Sequence, residues 1–200
     1  KMKLAKLTAG QIISTKGYYV AGDGGGASYL VAASQTVDGY GDHALAGGTV
    51  ALLQAGGSAD VKQYGAVGDG VTDATAAIQA ALDTTSTEIY FPDGTYRIAN
   101  ATTSPALTSS VADRRIYGTG VITATDQVKK AIQVTGANTV IDGLHIDGNN
   151  FIGYAIEMAS LNPTVRDCYI HDLNGFTDWG GIAIRLDFDG LDTSALVCNN

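Results

Sequence analysis

The sequence predicts an all-β chain dominated by a parallel β-helix, with a short capping helix at its N-terminal mouth and a small β-rich module ahead of it. Three observations carry this. From about residue 116 the chain repeats itself in phase, at offsets of 24 and then 28 residues. Ahead of the repeats, residues 60–96 string together a strand, a glycine-rich turn, an amphipathic helix and a second strand. The composition, with 26 glycines, 3 prolines and 45% apolar residues, is rich in turns yet too hydrophobic for disorder.

Residues 1–57 read as a separate small β module. GYYVAG (17–22), ASYLVAA (27–33) and GTVALLQ (48–54) are strand-like, and GDGGG (22–26) and DGYGD (38–42) punctuate them. The glycine cluster has no following Lys-Ser or Lys-Thr and no helix, so a phosphate-binding loop is not expected. Few of these runs are long enough for a core of their own, so some of Tyr18, Tyr29, Leu30, Leu45 and Leu53 are expected to find partners outside the module. Gly56-Gly57-Ser58 is the expected linker to the second unit, residues 58–200.

That unit opens with Val61 and Tyr64 as an extended run, then Gly68-Asp69-Gly70 at a sharp reversal. Thr72 or Asp73 is placed to cap a helix over residues 73–83. Ala74, Ala77, Ile78, Ala81 and Leu82 share one face of it at three- and four-residue spacing, and that face needs an apolar partner. IYFPDGTY (89–96) reads as a strand ended by a tight turn, with Gly94 as its left-handed residue. A helix with one apolar face ahead of a repetitive β region suits the open end of a solenoid.

These residues also carry a resemblance. The segment is similar to the opening module of the pectate-lyase-like, right-handed β-helix superfamily, which includes bacteriophage tailspikes and some polysaccharide epimerases and hydrolases. Asp60, Val61, Tyr64, Gly65, Ala66, Gly68, Asp69, Gly70, Thr72, Asp73, Thr75, Ala77, Ile78, Gln79, Pro92, Gly94 and Tyr96 match the family pattern. Ala74 departs from it, standing where the family usually has a second Asp, which is expected to cost a turn or cap hydrogen bond. The glycine-rich segment of residues 1–57 likewise resembles the neck that precedes the β-helix in tailspikes. The match speaks for fold; the module is a lid and carries no chemistry.

In the repeats, AIQVTG (131–136), AIEMAS (155–160) and AIRLDF (183–188) align, as do TVIDGLHIDG (139–148) and TVRDCYIHDL (164–173). Ile132, Ile156 and Ile184 are expected to stack as one internal ladder and Val134, Met158 and Leu186 as the next. Ile141 then lies over Val165 and Ile146 over Ile170. A β-sandwich also has short alternating strands, but not this in-phase self-similarity. The run ALVCNN (195–200) looks like the start of another coil, so the sequence is expected to be the front part of a longer protein.

A net charge of −8 argues against nucleic acid, whose phosphates would be repelled. No apolar run approaches the roughly 20 residues of a membrane span. Lys1, Lys3 and Lys6 are not followed by an apolar signal core. Cys168 and Cys198 are too few for a disulfide framework or a metal site and are expected to be buried thiols. No cofactor and no metal are expected.

With Leu144, Ile146, Cys168 and Ile170 pointing in, His145 is expected to stack with Tyr169, and Asp147 with His171, on the solvent side. Such a patch can do acid–base work on a sugar acid: one group removes the C5 proton and another protonates the leaving oxygen or the opposite face. The competing reading is an ordinary polar surface ladder. Asp167, Asp172, Asp178, Asp187, Asp189 and Asp192 invite a glycosidase, but many pairs meet its spacing and none stands out. GDGVTD (68–73) lacks the acids of a calcium loop and reads as a turn. Gln133, Glu157 and Arg185 form a further outward row with a structural Glu157–Arg185 pair. The four-residue insertion falls in LNGFTDWGG (173–181), where Trp179 and Phe176 can stack on a sugar ring and Asp178 can bind hydroxyls, or Trp179 can fold down onto a strand or a neighbouring subunit.

The resemblance implies a phage tailspike or tail-fibre subunit, on the virion tail, that binds and degrades host cell-surface polysaccharide. It further implies a homotrimer joined to other tail proteins through residues 1–57. The alternatives are a secreted bacterial polysaccharide lyase or epimerase, and a β-helix adhesin without chemistry.

Overall fold

Short alternating strands bounded by Asn, Asp and Gly turns cannot bury an apolar face alone; stacked in parallel, they share one continuous row. The computed structural model describes residues 2–99, 101–174, 181–186 and 196–198 of the chain and shows this stack. The first coil is β5 (Ser58–Asp60), β6 (Asp69–Asp73) and α1 (Thr75–Leu82), numbered after the four strands of the N-terminal module. The second is β7 (Glu88–Phe91), β8 (Thr95–Ile98) and β9 (Ala101–Ser109), and the third is β10 (Arg115–Gly118), β11 (Val121–Ala124) and β12 (Val128–Val134). Then come β13 (Val140–Asp142), β14 (His145–Asp147) and β15 (Ile152–Met158), followed by β16 (Thr164–Arg166), β17 (Tyr169–His171), β18 (Ile182–Leu186) and finally β19 (Leu196–Cys198). The three sheets run β5-β7-β10-β13-β16-β19, β6-β8-β11-β14-β17 and β9-β12-β15-β18, with every pairing parallel. The chain is an all-β parallel β-helix.

The ladders fall where the repeats put them. Ile132 pairs with Ile156 and Ile156 with Ile184; Val134, Met158 and Leu186 follow in register. Ile141 lies over Val165 and Ile146 over Ile170. Ile89, Ile116, Ile122, Ile141, Ile146 and Ile156 are all fully buried, each worth roughly 1.5–3 kcal/mol of apolar burial. At one corner Asp113, Asn138 and Asn162 take left-handed φ of 55°, 55° and 51°, and their side chains join from coil to coil at 2.8 and 3.0 Å.

Parallel pairing already begins with β5 on β7, so the segment before residue 116 is itself made of rungs. Their one-sided sequence hides the repeat, because in the first coil α1 stands where later coils place a third-sheet strand, and it packs against β9. Ile78 and Leu82 are buried. Gln79 finishes the open edge of β9: its amide accepts from the Thr108 N–H and donates to the Thr108 carbonyl, each at 2.9 Å. Arg114, 1% exposed, donates to the carbonyls of Leu82, Thr84 and Ser86 at the far end of the helix.

Several local expectations are corrected. Residues Val61–Tyr64 are not extended but a 3-10 turn, capped by Asp60 and ended by Gly65 at φ 95° against the Tyr18 ring. The helix is shorter than residues 73–83. Its N-cap is Ala74, without a side-chain bond, as expected where the family's Asp is missing. Thr72 is turned to Asp69 instead, while Asp73 accepts from the Thr75 N–H at 2.9 Å. Gly94 does have a positive φ, 147°, in the region that favours glycine though far from the usual value of about 57° for an αL residue, and an added Cβ would lie 2.9 Å from Gly68 Cα.

The N-terminal module is an antiparallel sheet ordered β1 (Ile12–Ser14), β2 (Ser28–Ala32), β4 (Val50–Leu53) and β3 (His43–Ala44). GYYVAG forms no strand. Asp23 instead gathers the N–H groups of Tyr18, Tyr19, Val20 and Gly25 at 2.8–3.0 Å; against the burial that raises its pKa, these bonds hold it at about 2. Tyr29 and Leu45 find partners inside the module, with Ala27, Val31 and Ala51, while Leu53 touches both cores. Among the described residues no helix is long and apolar enough to cross a membrane.

Candidate active site

Alternation along β14 and β17 sends Ile146 and Ile170 toward the core and the flanking side chains outward. The parallel register sets His145 beside Tyr169 and Asp147 beside His171. The three rings form one cluster: centroids are 4.9 Å apart for His145–Tyr169, 4.7 Å for Tyr169–His171 and 5.0 Å for His145–His171. Tyr169 is 63% exposed and stands at the outer edge. All four residues singled out from sequence are brought together on one open face.

A fifth group joins them. Asp172 Oδ2 lies 2.8 Å from His171 Nδ1, and Asp147 Oδ1 lies 3.8 Å from the same nitrogen. A carboxylate only accepts, so His171 Nδ1 carries the proton. With both rings neutral, His171 Nε2 then accepts, at 2.8 Å, from His145 Nε2–H. That leaves His145 Nδ1 as a bare base. Burial and the neighbouring His171 ring lower the His145 pKa below 6.5, with Asp147 opposing, which keeps that base unprotonated at neutral pH. Asp147 is fixed by the Asn149 N–H at 2.9 Å. Strict alternation would turn Asp172 away from His171; the strand ends at His171, and a left-handed φ of 51° at Asp172 brings its carboxylate back.

Other candidates fare differently. Trp179, Phe176 and Asp178 lie outside the described residues, as do Asp187, Asp189 and Asp192. Cys168 is a buried free thiol, with its pKa raised by burial. The Gln133–Glu157–Arg185 row is in register, but Glu157 is not on an open surface: every residue of β15 is buried. Its carboxylate takes Lys130 Nζ and Gln133 Nε2 at 2.5 Å each, with Arg185 3.6 Å away. Such a pair has to stay intact, because removing one partner strands a buried charge. On the first sheet Asp142 is clamped by Arg166 and Arg115 at 2.8 and 2.7 Å, and the Arg166 bond, opposed by burial and helped by Arg115, holds its carboxyl below the usual range. Asp69 accepts from the N–H groups of Val71 and Thr72, and GDGVTD, expected as a turn, runs instead into strand β6, whose pairing with β8 is irregular between Asp69 and Asp73 because those bonds fold its backbone locally.

Residues 58–157, half of the chain, match the family described as rhamnogalacturonase A/epimerase, pectate lyase-like. The structure is similar to a tailspike protein, gp49, of Acinetobacter baumannii bacteriophage Fri1, described as a capsular polysaccharide depolymerase: TM-score 0.73, 19% identity, covering 98% of this chain and 40% of that one. It is also similar to Pantoea stewartii WceF, a glycan biofilm modifying enzyme with a tailspike-like parallel β-helix (0.63, 16%, 96% and 34%). A third likeness is to the enzymatically active domain of tailspike protein 2 of bacteriophage CBA120 (0.59, 14%, 85% and 32%). No curated protein sequence matches. The chain spans less than half the length of each of these structures, and at these identities the likeness is one of fold.

Proposed function

The chain belongs to the pectate-lyase-like family of rhamnogalacturonase A and the epimerases, and on that premise we propose that it is part of a phage tailspike or tail-fibre subunit that binds and degrades host cell-surface polysaccharide. Residues 1–57 serve as the neck through which it meets other tail proteins, and residues 58–200 form the beginning of the glycan-facing β-helix. The observation that carries the reading is the Tyr169–His145–His171–Asp172 cluster on an open, straight face. An extended polymer can lie along such a face, where a closed pocket would exclude it. In this reading His145 Nδ1 takes the C5 proton of a uronate unit and Tyr169 supplies one to the departing oxygen. His171 and Asp172 hold His145 in its tautomer, and such general acid–base work contributes on the order of 10²–10⁴-fold.

A second reading, a secreted lyase or epimerase, is supported by the same residues: a Tyr–His pair is better suited to proton abstraction than to a glycosidase's paired carboxylates. Product analysis separates the readings. The protein is incubated with a panel of bacterial capsular and uronate-rich polysaccharides, and products are followed by ultraviolet absorbance of unsaturated ends, by reducing ends and by NMR. Unsaturated fragments are the expected result. New saturated reducing ends would show a hydrolase, inverted C5 centres without shortening would show an epimerase, and binding without any product would leave an adhesin.

A further inference from the structure

We propose that His171, Asp147 and Asp172 form a surface site for one divalent transition-metal ion of the zinc class. One ligand atom from each of the three lies within 4.8 Å of the others, around the Nδ1 of a histidine. His171 Nδ1 is 2.8 Å from Asp172 Oδ2 and 3.8 Å from Asp147 Oδ1. Ligands sharing a zinc ion at about 2.0–2.2 Å stand a little over 3 Å apart, and rotations of these side chains bring the three atoms, already within 4.8 Å of one another, to that spacing. Asp147 is already oriented by the Asn149 N–H, and Asp172 by its left-handed backbone at the end of β17.

The second observation is on the other side of the ring. A metal-binding histidine ordinarily donates its remaining N–H to an oriented acceptor, and His171 Nε2 faces His145 Nε2 at 2.8 Å. On metal uptake His171 shifts its proton from Nδ1 to Nε2 and donates it to His145, whose own proton moves to Nδ1, so an occupied metal site silences the base that the empty site leaves at His145 Nδ1. The donor set of one imidazole and two carboxylates selects zinc, cobalt or nickel over calcium, which takes oxygen only. Three protein ligands leave open positions, filled by water or by an anionic ligand, as in a reactive site and unlike a closed structural one. The assignment does not rest on the polysaccharide reading, because metal binding is measured on the protein alone.

The test uses the whole chain without a histidine tag, stripped of metal and titrated with zinc chloride by calorimetry. His43 is the only other histidine, and it is buried. One equivalent is expected to bind in the micromolar range, and cobalt chloride is expected to give a visible absorption band. His171→Ala should abolish binding; Asp147→Asn and Asp172→Asn should weaken it at least tenfold, and His145→Ala by about tenfold through lost orientation. Absence of binding to the wild type overturns the site, as does equal binding by His171→Ala. Equal competition by calcium chloride overturns the histidine ligation. Circular dichroism of each variant confirms that a lost signal is not lost fold.

Discussion

His43 is 4% exposed, rests against the Tyr18 and Tyr29 rings, and its Nδ1 has no hydrogen-bond partner in the structure. Burial pushes its pKa below 6.5, Lys3 adds to this and Asp38 opposes it. The unfolded chain takes up the proton near 6.5, so the stability present above that pH is lost as pH falls through the lower folded value. Melting temperature is expected to drop between pH 8 and pH 5, and His43→Gln should flatten that dependence. At this scale the sequence is only partly legible. His145, Asp147, Tyr169 and His171 follow from alternation, whereas Asp172 depends on one left-handed residue that alternation does not report. Arg114 has no role that the sequence alone signals, because the helix-end carbonyls it is buried against are brought to it only by tertiary packing. Glu157 is hidden for the same reason: period two separates two faces of a strand but does not say what covers the outer one.

Among elements, the ladders were the most readable, because Ile132, Ile156 and Ile184 occupy equivalent places in self-similar segments and a one-residue slip would turn each outward. Ile156 is fully buried between Ile132 and Ile184. Ile156→Asp should therefore unfold the adjoining coils at a cost of several kcal/mol, the penalty for an unpaired charge in an apolar stack, and a melt unchanged from wild type would put the ladder out of register. The helix is legible from its apolar face, but its length is not: the expected ends are residues 73 and 83, whereas the helix runs from Thr75 to Leu82, with Ala74 as its N-cap and Asp83 as its C-cap. The strands of residues 1–57 were the least legible. β1 and β3 are short and lack strong alternation, and aromatic residues in GYYVAG imitate a strand while Asp23 folds their backbone into a loop.

For the whole molecule, the reading as a tailspike part requires assembly, which we propose as a parallel trimer. The motive is no longer Tyr29 or Leu45, which the module buries itself. It is Leu4, Ile12, Tyr19 and Val20, which are 82%, 74%, 65% and 67% exposed on the same module, more large apolar surface than one small sheet ordinarily leaves to water. Light scattering is expected to give three times the 20.6 kDa chain mass; a mass near 20.6 kDa at micromolar concentration would contradict the trimer and favour the monomeric enzyme. Multivalent contact with a repetitive glycan is what such an assembly gains.

The central claim is that the exposed ring cluster acts on a polysaccharide carried along the β-helix. Its most direct measurement is the rate of cleavage by Tyr169→Phe and wild type on whichever polysaccharide of the panel the wild type shortens. Tyr169 is 63% exposed, so removing its hydroxyl leaves the core and the melting temperature unchanged. The rate should fall by about 10²-fold or more while polymer binding persists. A Tyr169→Phe protein that cleaves as fast as the wild type would contradict the account.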